Sequence, residues 1–220
     1  MMLPTPPHVS TTSLFTLIDY SGVVVGALGG ALAARRDTKF NFDYVGVIGL
    51  GMISGVGGGL ARDVLIQNGL PLALDNPHYL YLALGGALIG LFFGSGMGVR
   101  MRRAMLVIDA LGLGFFAIAG ATRAQDVGVG LLPCLLLGVM TAVGGGSLRD
   151  VFSGRTPSVF ERGEPYATAA ATSALLFLLM LHFGVSTSIA TPIGIVAGFV
   201  MRLLGVRFKW KTRAVRTATD

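Results

Sequence analysis

The sequence predicts an all-α integral membrane protein: seven transmembrane helices, built as two inverted three-helix repeats plus a seventh helix, with the second and fifth helices bent at triple glycines. Three observations carry that prediction. Of 220 residues, 53% are hydrophobic and 13% charged, and the mean hydropathy is +0.72, too apolar for an ordinary soluble domain. Seven apolar runs approach the ~20 residues that a spanning helix needs. And Gly57-Gly58-Gly59-Leu60-Ala61-Arg62-Asp63-Val64 returns as Gly144-Gly145-Gly146-Ser147-Leu148-Arg149-Asp150-Val151, 87 residues later.

The spans fall at roughly 13–34, 44–62, 78–98, 104–123, 127–148, 166–184 and 187–204. Residues 1–18 hold no Lys or Arg, so the first run lacks the basic flank of a signal peptide and reads as a retained helix. Of the 17 Lys and Arg residues, all but Arg62 and Arg123 follow spans one, three or five or occupy the end of the chain from Arg202 onward. The positive-inside rule then places the amino terminus outside and the carboxyl terminus in the cytoplasm. A sequence pI near 10.0 would point to nucleic acid in a soluble protein; here the bases sit in short segments between apolar runs, which argues against that partner.

A second repeat supports the first. Asp19-x-x-Gly22-x4-Ala27-x-x-Gly30 in span one matches Asp109-x-x-Gly112-x4-Ala117-x-x-Gly120 in span four. The unit is therefore three helices used twice, over residues 13–103 and 104–185, with a tail at 1–12, the seventh helix at 186–205 and a basic tail at 206–220. Three is odd, so the second copy enters the membrane from the opposite face, as in transporters whose site lies between inverted halves.

The apolar run from Tyr44 to Leu74 is about 45 Å long as a helix, more than a hydrocarbon core of about 30 Å. A bend is expected at Gly57–Gly59, then a short segment through Ile66 and a loop at Asn68-Gly69-Leu70-Pro71. Span five should do likewise at Gly144–Gly146, with an earlier kink at Pro133 and a loop from Ser153-Gly154. Gly22, Gly26 and Gly30, then Gly86, Gly90, Gly94 and Gly98, then Gly194 and Gly198 recur every fourth residue, a spacing that lets helices approach closely.

A helix broken at three glycines would expose carbonyls able to replace part of a cation's hydration shell. One reading of the doubled motif is thus a narrow, wet cation path; the other is a pair of glycine kinks at which spans two and five cross. Arg62 and Arg149 must snorkel, pair or be wet, because guanidinium stays charged. Adjacency on a helix turns Asp63 and Asp150 away from their own arginines, so pairing across the pseudo-two-fold, or with Asp19 and Asp109, is expected. The arginines then form a charged constriction that gates the path, or else anchor helix ends. Asp19 and Asp109 either attract cations or complement a helix amino-terminal dipole. Ser54, Thr141 and Ser147 are candidate lining hydroxyls.

Nothing in the chain has the pattern of a catalytic pair, a metal-ligand set or a phosphate loop. His8, His78 and His182 are scattered, Cys134 is the single cysteine, and Gly55–Arg62 lacks the Lys-Ser/Thr of a phosphate-binding loop. No enzyme, cofactor or metal is expected. The stretch Val206-Arg207-Phe208-Lys209-Trp210-Lys211-Thr212-Arg213 mixes bases with aromatics beyond the last span, and its expected partner is anionic lipid on the inner leaflet.

The doubled Gly-Gly-Gly-x-x-Arg-Asp-Val and the doubled Asp-x-x-Gly-x4-Ala-x-x-Gly resemble the prokaryotic trimeric intracellular cation (TRIC) channel family, which includes bacterial proteins labelled glycine transporters. The resemblance covers about residues 14–204. It implies a homotrimer in a prokaryotic inner membrane, with a potassium-permeable pore within each subunit lined by the second and fifth helices; sodium is a further candidate ion. Gly57–Gly59 with Arg62, and Gly144–Gly146 with Arg149, carry over as pore elements. The Lys-Glu-Val motif of animal members is absent, so their phosphoinositide site does not carry over. Inverted repeats also suit alternating access, so a secondary transporter of a small solute such as glycine is the alternative.

Overall fold

In the computed structural model, residues 11–37, 39–93, 99–161 and 166–210 are described. Among them are eight helices: α1 (Thr11–Arg35), α2 (Tyr44–Ile66), the single turn α3 (Leu72–Asp75), α4 (His78–Phe93), α5 (Val99–Asp126), α6 (Leu131–Phe152), α7 (Tyr166–His182) and α8 (Thr187–Arg207). Five of these are long and apolar enough to cross a membrane, namely α1, α2, α5, α6 and α8; α4 and α7, at 16 and 17 residues, are apolar but shorter.

Local sequence explains the helix ends. Asp43 caps α2, its carboxylate accepting from Gly46 N–H at 2.7 Å, as a short acid outside a helix start should. The loop predicted after α2 begins with Gln67 and Gly69 at positive φ, and the one after α6 turns at Gly154 with φ 64°, conformations that glycine adopts without a Cβ penalty. Pro133 does not kink α6. It lies in the first turn of a helix that starts at Leu131, where a missing N–H costs no hydrogen bond.

Helices α1, α2 and α4 pack on one another, and α5, α6 and α7 do the same; α2 against α6 and α1 against α5 join the two groups, and α8 lies on α5 and α7. Small residues make the close approaches possible. Ala27, Ala83, Ala117, Ala121, Ala169 and Ala174 are fully buried, and a Cβ on Gly86, Gly90, Gly194 or Gly198 would meet Val24, Ala31, Ile118 or Ser173 within 2.9 Å. The fourth-residue glycines therefore serve packing within the subunit. Gly94 and Gly98 lie outside the described residues, as do His8, Arg162 and the tail beyond Trp210.

The expected break at the triple glycines is absent. Both α2 and α6 are helical without interruption through Gly57–Gly59 and Gly144–Gly146, so their carbonyls are not freed by an unwound segment. The physical reason lies in what the glycines touch.

Candidate functional site

The two motifs meet at the crossing of α2 and α6. A Cβ on Gly58 would overlap the carbonyl oxygen of Thr141, and a Cβ on Gly145 would overlap that of Ser54. The contact is reciprocal: each middle glycine rests on the carbonyl lying four residues before its counterpart. Gly144 completes it, a Cβ there falling 3.3 Å from Gly58 Cα, while a Cβ on Gly57 would strike Leu148. The glycines let two backbones touch without leaving the helix, the crossing that was the second of the two sequence readings. Thr141 bonds back to Leu137 O at 2.6 Å, and Ser147 to Val143 O at 2.8 Å.

One helical turn beyond the first triplet, Arg62 is 1% exposed and Asp19 2%. Arg62 Nε donates to Asp63 Oδ1 at 2.8 Å and Nη2 to Asp63 Oδ2 at 3.2 Å, while Nη1 reaches Asp19 Oδ1 at 3.4 Å. The partnership with Asp19 is one of the two expected; that with the adjacent Asp63 is a correction. A fully desolvated guanidinium must satisfy its donors, and its long side chain folds sideways to do so. Tyr79 donates its hydroxyl to Asp19 Oδ2 at 2.9 Å, Leu72 N–H donates to Asp63 Oδ2 at 2.9 Å, and Arg123 Nε lies 3.9 Å from Asp63 Oδ1. Asp19 is two turns inside α1, too far from its end for the dipole reading. Two cations and two anions balance here.

The second motif repeats the pattern with different settings. Arg149 Nη2 donates to Asp150 Oδ1 at 2.7 Å and Nε at 3.1 Å, again a pairing with its own neighbour. Asp150 Oδ2 accepts from Ser158 N–H at 3.1 Å, and Tyr166 donates to Asp109 Oδ1 at 3.0 Å. Asp109, ten residues into α5, takes its ion pair from Arg202 of α8 at 3.6 Å in place of the expected Arg149. No ion pair among the described residues crosses between the two motifs.

Each motif borders its own cavity. The first, about 10 Å³, is lined by Asp19, Gly59, Arg62, Asp63, Leu72 and Tyr79 among others. The second, about 310 Å³, is lined by Gly29, Ser54, Asp109, Gly145, Gly146, Arg149, Tyr166 and Arg202 among others. Thr141, Ser147, Gly57, Gly58 and Gly144 border neither of these two. Sequence reasoning passed over Tyr79, Tyr166 and Arg202. The tyrosines are 87 residues apart, the offset of the motif itself, and Arg202 is a charge inside a predicted span, so both signals were present.

A family model described as "Glycine transporter" matches residues 16–95 and 106–182, one segment in each half. The structure superposes with a TM-score of 0.81 on the TRIC trimeric intracellular cation channel orthologue from Rhodobacter sphaeroides, at 35% identity and covering 89% of this chain and 98% of that one. The chain belongs to the TRIC family. Its relatives include a UPF0126 membrane protein of Deinococcus radiodurans, 37% identical over 90% of this chain and 88% of the other. The inner membrane protein YadS of Escherichia coli is 32% identical over 88% of this chain and 92% of its own length.

Proposed function

We propose that the protein is a cation channel with a potassium path within each subunit, running between two inverted halves, residues 13–103 and 104–185, with the seventh spanning helix outside the repeat. The observation that carries this reading is the reciprocal seating of Gly58 on Thr141 and Gly145 on Ser54, with one charged cavity beyond each motif. Two segments related by a two-fold axis in the membrane plane would make such contacts. The likeness to a solved trimeric intracellular cation channel supports both the ion and a homotrimer.

In this reading α4 and α7 complete seven spans, the amino terminus lies outside and the carboxyl terminus in the cytoplasm of a prokaryotic inner membrane. Phe208 and Trp210, whose rings stack at 6.2 Å, sit with Lys209 against anionic lipid. Arg62 and Arg149 act as the charged gates at the two ends, and conduction flexes α2 and α6 at their triple glycines. Asp19 and Asp109 hold the arginines and hydroxyls in place and attract cations; Ser54 and Gly145 border the wider cavity.

Purified protein in planar bilayers with a potassium gradient tests the proposal. Discrete single-channel currents are expected, with open probability or conductance altered in Arg62→Ala or Arg149→Ala. The description of the matching family model favours one rival, a glycine carrier. Saturable glycine uptake into liposomes without unitary currents would replace the channel reading with that one.

A further inference from the structure

The two cavities are strung along α1: Asp19 and Val23 border the first, Gly26, Gly29 and Ala33 the second. From Asp19 to Ala33 is about 21 Å of helix. Among the described residues, Phe116 of α5 is the one that borders both. Its ring is buried and packs against α1, so that a Cβ on Gly22 or Gly26 would come within 3.0 or 2.9 Å of it. Gly26 also faces Gly55 of α2, a Cβ there falling 3.2 Å from Gly55 Cα. On its α1 side the ring therefore meets glycine backbone.

The sequence repeat gives Phe116 a further meaning. Asp19, Gly22, Ala27 and Gly30 correspond to Asp109, Gly112, Ala117 and Gly120, an offset of 90. At that offset the counterpart of Phe116 is Gly26, the residue it rests on. A phenyl ring from one half fills the space that a glycine leaves in the other, at the junction between them.

We propose that Phe116 is an apolar partition between the wide second cavity and the small, dry first one, and that one aromatic ring against Gly26 controls whether the path is continuous. A constriction lined by apolar carbon excludes ions by losing its water, and a ring held against glycines can swing without breaking a hydrogen bond. The assignment rests on the reading of the cavities as an ion path. It adds the element that divides them, which no charged residue on either motif supplies.

Cysteine accessibility tests the partition separately from conduction. In a C134S background, a membrane-impermeant methanethiosulfonate is applied to each face of membrane vesicles carrying Ala33→Cys, in the second chamber, or Val23→Cys, in the first. The face that labels Ala33→Cys marks the mouth of the second chamber. From that face Val23→Cys should react at least about tenfold more slowly while Phe116 is present, and approach the Ala33→Cys rate in F116A, because access limits such thiols.

Equal rates with Phe116 intact, an unchanged gap in F116A, or no labelling of Ala33→Cys from either face would each overturn the proposal. The first comparison needs no change at Phe116, and F116L gives a graded form if F116A does not fold. Potassium flux is measured on the same variants. Labelling that behaves as expected without flux would remove the channel and leave the partition; flux without a labelling gap would do the reverse.

Discussion

The two halves carry the same chemistry in opposite states. Arg62 and Asp19 are 1% and 2% exposed beside a void of about 10 Å³, whereas Arg149 and Asp109 are 20% and 40% exposed beside one of about 310 Å³. The motif is not what differs. In the first half, Asp63 holds Leu72 at the start of α3, and Leu72 and Ala73 border the small cavity. In the second, Asp150 holds Ser158 in the corresponding loop, yet no described residue of that loop borders the large one. The turn after α2 closes on the first cavity, and the described part of the loop after α6 does not close on the second, so a shared motif fixes the charges while their surroundings set their exposure.

That contrast predicts unequal responses to equal substitutions. Arg62→Ala strands Asp19 and Asp63 in a dry site, and removing one partner of a buried pair costs about 3–5 kcal/mol. Arg149→Ala leaves a carboxylate that water can reach, and roughly 1 kcal/mol is expected. Denaturant unfolding in detergent reads both. Equal losses would mean that the second cavity is as dry as the first.

The tyrosines extend the comparison. Tyr79→Phe removes a buried hydrogen bond to a carboxylate, a loss of about 1.5–3 kcal/mol, while water can replace the Tyr166 hydroxyl at Asp109, so Tyr166→Phe should cost below about 1 kcal/mol. Their melting temperatures order the two sites by wetness without altering any charge.

At the crossing the halves should respond alike, which tests the opposite claim. Gly58→Ala and Gly145→Ala each force a methyl into a backbone carbonyl, and overpacking of this kind costs about 1–3 kcal/mol or more. Gly59 and Gly146 have room, their nearest neighbours being arginine Nη2 atoms at 3.6 and 3.8 Å. Alanine there should be neutral or stabilising by up to about 1 kcal/mol, because glycine is the poorer helix former. If Gly58→Ala and Gly59→Ala unfold together, the reciprocal contact is not what selects the middle glycine.

These positions show how far the sequence reaches. The all-helical class, the loops after α2 and α6 and the identity of the charged residues were legible, because hydropathy, turn residues and an exact repeat are properties of the chain read locally. Whether three glycines break a helix or seat it against another was not, since both uses ask for the absence of a Cβ. The partners of Arg62 were half legible: Asp19 could be named from the repeat, but the sideways bond to Asp63 depends on desolvation that only packing sets. The unequal cavities were invisible, since the two motifs differ little in composition. Comparing the halves position by position does expose one difference, Gly26 against Phe116, and it falls where the cavities meet.

The smallest expected effect concerns a tie between the halves outside the spans. Asp37, just after α1, accepts from the Lys39 and Phe40 N–H groups at 2.8 and 3.0 Å and pairs with Arg155, after α6, at 2.6 Å. Burial pushes its carboxyl up, but the hydrogen bonds from Phe40 and Lys39 and the Arg155 guanidinium outweigh it and hold the pKa below the ordinary 3.8. A carboxylate depressed on folding stabilises the folded state fully above its unfolded pKa, and that contribution is lost as pH falls through the folded value. Arg155 is nearly half exposed, so the ion pair itself should be worth below about 1 kcal/mol. Measured between about pH 3 and pH 6, the stability difference between the native chain and Asp37→Asn should be constant at the upper end and shrink toward the lower. A difference that grows on acidification would show that the carboxyl is held neutral, and that no ion pair between Asp37 and Arg155 ties the two halves.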